Sequence, residues 1–172
     1  MIVMKFGGTS VRDSEAVERL ISIVNRSTPG KTVVVVSALS GVTDTLIKIA
    51  GLAARGKADE ASGLSAGLEE RHLVMAGELL AGNVSLLNET RDTVKQLFAK
   101  LNEIVRVVSV LEELSDMSMA KILSYGELLS SSVIHRAMLN SGMKCAFADA
   151  RTMIITDSRY VKGEPQTEII CK

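Results

Sequence analysis

Residues suited to handling an anion open the chain. Met4-Lys5-Phe6-Gly7-Gly8-Thr9-Ser10-Val11 follows the apolar pair Ile2-Val3, so a buried strand runs straight into two glycines. Lacking a Cβ, a glycine lets the backbone pass close to a ligand. An acid-capped helix then opens near Asp13, and amides ahead of a helix can point at an anion that the helix dipole also favours. Lys5 adds a full positive charge at this mouth, while Thr9 and Ser10 add hydroxyl donors. The combination reads as a phosphate site. It is not a Walker loop, whose lysine follows its glycines, nor the dinucleotide fingerprint G-x-G-x-x-G. By spacing alone, Gly7-Gly8 is equally an ordinary strand-to-helix turn and Lys5 an ordinary solvated lysine.

A second corner follows the β-branched run Thr32-Val33-Val34-Val35-Val36, a pattern typical of a strand covered on both faces and hence of a parallel sheet. It reads Ser37-Ala38-Leu39-Ser40-Gly41-Val42-Thr43-Asp44 and leads into a helix through Leu46, Ile47 and Ala50. Ligands of open parallel sheets sit beyond the carboxyl ends of the strands, so both corners should face one crevice. Taken singly, Ser40 and Asp44 are ordinary turn and N-cap residues. A third stretch, Leu123-Ser124-Tyr125-Gly126-Glu127-Leu128, places Glu127 on a helical stripe with Met119, Leu123, Ser130 and Ile134. A carboxylate on a buried stripe needs a cationic partner. Either an internal salt bridge, an exposed edge of the stripe or a substrate ammonium would satisfy it.

The literal strings narrow these options. Lys5-Phe6-Gly7-Gly8-Thr9-Ser10-Val11 resembles the opening signature of aspartate kinases, within the amino-acid kinase family. Ser37 to Thr43 resembles the second glycine-containing loop of those enzymes, and Ser124-Tyr125-Gly126-Glu127 their Ser-x-Gly-Glu motif. The resemblance implies an α/β fold, a three-layer αβα sandwich with an open, mainly parallel sheet, here its N-terminal portion with a long helical insertion. It implies ATP with Mg2+ as phosphoryl donor and the side-chain carboxylate of L-aspartate as acceptor, giving 4-phospho-L-aspartate, the entry to lysine, threonine and methionine. Lys5 would be catalytic, with Lys5, Gly7, Gly8, Thr9 and Ser10 at the phosphates. Ser37, Thr43 and Glu127 would hold the amino acid. A looser match adds Asp157, with Asp149 and Arg151 nearby. A homodimer is the implied assembly.

The resemblance covers the first part of that family's catalytic domain. The later Gly-Arg-Gly-Gly-Ser-Asp segment, the nucleotide-binding half and the regulatory ACT domains have no counterpart in these 172 residues. The chain therefore reads as a truncated portion. Two other readings stay open: a non-catalytic folded module that binds or dimerises, and a sibling kinase with another acidic substrate.

Composition sets the limits. Lys+Arg and Asp+Glu are 20 each, and there are three Phe, two Tyr and no Trp. Nothing here favours nucleic acid or an anionic membrane. No apolar run reaches the ~18 residues of a membrane span, and no leader pattern is visible, so a cytoplasmic protein is expected. Cys145 and Cys171 have no metal or redox spacing and read as structural thiols of a reducing compartment. No metal site is expected, and His72 is read as solvated.

The elements that must position these residues follow from periodicity. Strands are predicted over 2–6 and 32–36, flanking a helix with Val17, Leu20, Ile21 and Val24 inward and ended by Pro29-Gly30. From Asp44 to Gly142 the pattern is almost wholly helical, interrupted at Gly56, Gly63 and Gly82-Asn83. One helix is predicted over 86–114, its apolar side Val94, Leu97, Leu101, Ile104, Val105 and Val108, in a hairpin beside the sheet at a subunit contact. The next is capped by Ser115-Asp116 and ended by Gly142. Lys144–Ala148 and Thr167–Cys171 are predicted as further strands.

Overall fold

Parallel pairing joins β1 (Ile2–Phe6) to β2 (Thr32–Val36), with Ile2 opposite Thr32 and Phe6 opposite Val36. The computed structural model describes residues 1–27, 31–160 and 162–170. Between the strands lies α1 (Ser14–Arg26), whose N-cap Asp13 accepts the Ala16 amide at 2.8 Å. That bond, and one from Arg12 Nε at 2.8 Å, hold the Asp13 carboxyl below its usual range. The first turn of α1 is thus served by the chain's own carboxylate. The predicted helix end at Pro29-Gly30 lies outside the described residues.

Met4, Phe6, Val34 and Val36 pack on the core. Their neighbours Val3, Val33 and Val35, on the opposite face, are exposed. The pairing is parallel as expected, but the covering of both faces is not found. A valine run tolerates burial on both sides without requiring it, and the helical core lies against one face.

Helices α2 (Val42–Ala53), α3 (Ala58–Leu79), α4 (Val84–Leu111) and α5 (Asp116–Asn140) pack against one another to form that core. Gly56 (φ +67°) and Gly82 (φ +89°) take left-handed turns at the junctions, as glycine allows. Gly63 interrupts nothing: it sits within α3, where a glycine costs only about 1 kcal/mol of helix propensity. The Ser115 side chain accepts the Ser118 amide and starts α5. Leu46, Ile49, Phe98, Leu101, Ile122 and Leu129 are fully buried where these helices meet. The α3–α4 hairpin is therefore part of the central core rather than an appendage to the sheet.

His72 corrects an expectation. It is fully buried, its Nδ1 donates to the Leu68 carbonyl at 2.7 Å, and its ring meets Phe98 edge-on with centroids 5.7 Å apart. Its Nε2 has no partner. A neutral imidazole fits, and burial pushes its pKa down. Helical periodicity placed His72 in a run rich in charge, but position 72 lies on the same inward face as Leu68, Met75 and Ala76.

Among the described residues neither of the two later strands is formed. Residues 143–149 are extended without a ladder, and a cavity of about 940 Å³ opens among β2, α5 and this segment. Thr167–Ile170 is a helical turn. Lys144–Ala148 holds no β-branched residue and faces the open β2 edge across that cavity without pairing to it. The molecule is mixed α/β, mostly helical, on a small open parallel sheet. Among the described residues no helix is long and apolar enough to cross a membrane.

Two measurements check this core. Phe98→Ala should cost about 3–5 kcal/mol in urea unfolding, as expected for an aromatic lost from a close-packed site. Because the folded His72 pKa lies below its unfolded value near 6.5, the unfolded chain binds more protons as pH falls through that value. Stability from the neutral ring is therefore complete above pH 6.5 and is lost progressively below it. Melting curves of wild type and His72→Leu from pH 7.5 to 5 should show the steeper acid loss in wild type.

Candidate functional site

Small residues bring the two corners together. After β1 the chain makes a 3-10 turn, Gly8–Val11, in which the Ser10 amide donates to the Gly7 carbonyl at 2.8 Å. After β2 the Ser37 amide continues the ladder to the Phe6 carbonyl at 3.0 Å. A Cβ on Gly8 would stand 3.2 Å from the Ala38 carbonyl oxygen and 3.7 Å from Ser40 Cα, so the corners are in backbone contact. Gly41 closes the second corner at φ +78° and caps α2 without a side-chain bond, so neither Ser40 nor Asp44 is the N-cap.

Helix α5 docks on the second corner through Gly126. A Cβ there would lie 3.0 Å from Ala38 Cβ, 3.4 Å from Leu46 Cδ1 and 3.6 Å from Val42 Cγ1. Ser130 Oγ donates to the Ser37 carbonyl at 2.8 Å, one turn further on. Between them, Glu127 Oε1 accepts the Ala38 amide at 3.4 Å. Glu127 itself is exposed, so the expected burial of its carboxylate is not found. The stripe turns inward at Gly126 and Ser130 and leaves Glu127 at its edge, where the charge stays solvated.

Glu127 lines a cavity of about 220 Å³ with Val35, Ser124, Asp149 and Arg151. Lys5 pairs in register with Val35. Parallel neighbours share a face, so Lys5 stands one strand, about 4.8 Å, to the side of that cavity. Lys5 makes no ion pair among the described residues. Thr9 and Ser10 are exposed on the first corner, and Thr43 is exposed in the first turn of α2. Among the described residues no hydrogen bond links Thr43 to Lys5 or Glu127.

The looser candidates divide. Arg151 holds Asp149 through Nε at 3.0 Å and Nη2 at 2.7 Å, reaches Ser124 Oγ at 3.5 Å and lies 5.9 Å from the Tyr125 ring centroid. Its hydrogen bonds keep the Asp149 carboxyl below the usual range, while burial raises the Tyr125 hydroxyl. These two thus belong beside the third motif. Asp157 is committed elsewhere: its carboxylate takes Arg159 Nε at 2.7 Å and the Arg159 and Glu164 amides at 3.1 and 3.3 Å. Cys145 is half-buried, with its thiol pKa raised by burial, and Cys171 lies outside the described residues. Among the described residues no group of three or more His, Cys, Asp or Glu could hold a metal ion.

One contributor had no signal in the sequence. Arg71 of α3 donates to the Ser40 carbonyl at 2.8 Å and to the Arg12 carbonyl at 3.0 Å. Both acceptors are backbone atoms far away in the chain, and no side-chain pattern marks them.

The model of the amino acid kinase family matches residues 1–168. The chain belongs to that family. As an amino acid kinase it resembles an aspartokinase of Chlamydia trachomatis, 33% identical across 98% of this chain. It is also 32% identical, across 96% of its length, to the chloroplastic bifunctional aspartokinase/homoserine dehydrogenase 1 of Arabidopsis thaliana. The chain spans 35% of the first relative and 19% of the second. E. coli aspartokinase III, solved with lysine and aspartate, superposes over 99% of this chain and 36% of its own, with TM-score 0.86 and 24% identity. The same enzyme with aspartate and ADP gives 0.83. At that identity the superposition establishes the fold.

Packing at the corners makes a discriminating prediction. Gly126→Ala gains about 1 kcal/mol of helix propensity but meets Ala38 and Val42, and overpacking costs about 1–3 kcal/mol. It should destabilise by about 1 kcal/mol net. Gly67→Ala in α3, where no atom lies within 4 Å of the new methyl, should instead stabilise by up to about 1 kcal/mol. Urea titrations of both variants read the difference directly.

Proposed function

We propose that this chain carries the amino-acid and phosphoryl part of an aspartokinase site. In the complete enzyme, the γ-phosphoryl of MgATP passes to the side-chain carboxylate of L-aspartate, giving 4-phospho-L-aspartate, the first step toward lysine, threonine and methionine. The observation that carries this is the backbone contact between the two corners at Gly8 and Ala38, with Glu127 held beside the second. The relatives named aspartokinase, and a neighbour solved with aspartate and ADP, point the same way.

Phosphoryl transfer needs positioning and positive charge more than covalent chemistry from the protein. Lys5 neutralises charge on the migrating phosphoryl in this reading, and Gly7, Gly8, Thr9 and Ser10 give it a close-fitting floor with hydroxyl donors. Ser37 and Thr43 line the amino-acid side, and Glu127, exposed and in no ion pair among the described residues, meets the substrate ammonium. Asp157 is left out, because its carboxylate already serves its own turn. A carboxylate substrate is nucleophilic without a general base. Mg2+ arrives with the nucleotide, held chiefly by phosphates.

A second reading applies to the 172 residues by themselves. They span about a third of the aspartokinases they match, and alone they act as a folded binding module without turnover. A coupled assay for aspartate-dependent ADP release, on this chain and on a longer version extended to the relatives' length, separates the two. Turnover is expected only from the longer one. In that longer enzyme, Lys5→Ala should lower kcat at least about a hundredfold, as for loss of one electrostatic stabiliser; near-normal turnover would remove Lys5 from the reaction. Glu127→Gln should raise the aspartate KM about tenfold or more, the loss of one charged contact, while stability changes by no more than about 0.5 kcal/mol at this exposed position.

A further inference from the structure

Arg71 connects two segments that meet at the proposed site. It leaves α3 immediately before His72, whose buried ring fixes the rotation of the helix at this turn. From there one guanidinium nitrogen bonds the Ser40 carbonyl at 2.8 Å and another bonds the Arg12 carbonyl at 3.0 Å. Ser40 immediately precedes Gly41, the left-handed turn that sets the entry to α2 and so the position of Thr43. Arg12 closes the 3-10 turn that carries Gly8, Thr9 and Ser10, and its own side chain is tied to the α1 cap, Asp13.

We infer that Arg71 is a positioning residue: its planar fork spans the exit of the first corner and the turn of the second, so that the two are held as one unit. The backbone contact at Gly8 and Ala38 sets how close the corners come, but contact alone does not fix their relative orientation. Two directed, charge-assisted hydrogen bonds from one rigid group do. The geometry calls for arginine. A lysine ammonium is a point donor on a flexible stem and cannot present two parallel donors at a fixed separation. What the clamp does for substrate rests on the kinase reading above; that it exists does not.

Hydrogen–deuterium exchange on the 172-residue chain tests the clamp without any ligand. In Arg71→Ala, amides of segments 7–13 and 38–44 should both exchange about tenfold faster or more, the cost of a lost charged hydrogen bond. The interiors of α4 and α5 should be unchanged. Arg71→Lys should protect at most one of the two segments. Unchanged exchange in both segments, or loosening of only one in Arg71→Ala, would overturn the inference. So would loosening that spreads through α4 and α5 with a fall in Tm, which marks a general structural role. Titration with L-aspartate, followed by NMR, then reads the consequence: affinity should fall about tenfold in Arg71→Ala, and unchanged affinity would overturn the positioning role. If the wild-type chain binds no aspartate, the substrate reading falls, while the exchange data still decide the clamp.

Discussion

Everything at the proposed site is arranged around the absence of side chains at two positions facing Ala38. Gly8 approaches its carbonyl oxygen and Gly126 its methyl, at separations where an added Cβ would stand 3.2 and 3.0 Å away. One alanine is thus the meeting point of the first corner, the second corner and helix α5. Close packing at this density transmits displacement instead of absorbing it. A shift of α5 moves Glu127 and the second corner together. The two glycines serve different ends: Gly8 admits another loop, whereas Gly126, in mid-helix, admits a loop at the cost of helix propensity. That second placement makes little sense for the helix alone and is explained by what docks there.

The energy that keeps these corners in place comes from elsewhere. The fully buried residues are concentrated where α2 to α5 meet, around Phe98, Leu101, Ile122 and Leu129. The corners add only a few apolar residues to that core, Val11, Ala38, Leu39 and Val42, and leave Thr9, Ser10, Ser40 and Thr43 exposed. Both ends of the second corner are nevertheless anchored, by the β2 ladder at Ser37 and by Val42 and Leu46 in the core. A rigid scaffold presenting polar loops is the usual arrangement for a binding surface, since loops carry chemistry and cores carry stability.

Much of this was legible in the sequence. The valine run marks β2, Gly7-Gly8 and Gly41 mark the corners, and Ser115 and Gly142 bound α5, because each rests on local backbone preference. What failed was non-local. The charged residues around His72 in the chain suggest a solvated ring, while its burial involves Phe98 from another helix. Glu127 was placed on a buried stripe, but the stripe turns about Gly126, whose contact with Ala38 no periodicity reveals. Residues 144–148 lie across a cavity from the open β2 edge and do not pair with it, a separation that composition does not encode. Asp157 had the right letters and was already occupied by Arg159. Arg71 could not be found at all, since its partners are main-chain oxygens.

The open sheet face extends the same reasoning. Val3, Lys5, Val33 and Val35 project from the side away from the core, and Lys5 is the only charge among them. A charged residue is a poor neighbour for exposed valines if that surface is only to be buried, because covering it would strand an ammonium without a partner. It is a good neighbour if that surface borders an anion. The cavity at the free edge of β2, lined by Val33 to Val36, brings Glu127 and the Asp149–Arg151 pair to the margin of the sheet. The Val35 side chain thus lies between Lys5, its neighbour on β1, and the edge cavity that Glu127 lines. In the proposed reading, a substrate with an ammonium at one end and an anionic group at the other would meet Glu127 and Lys5 across that valine.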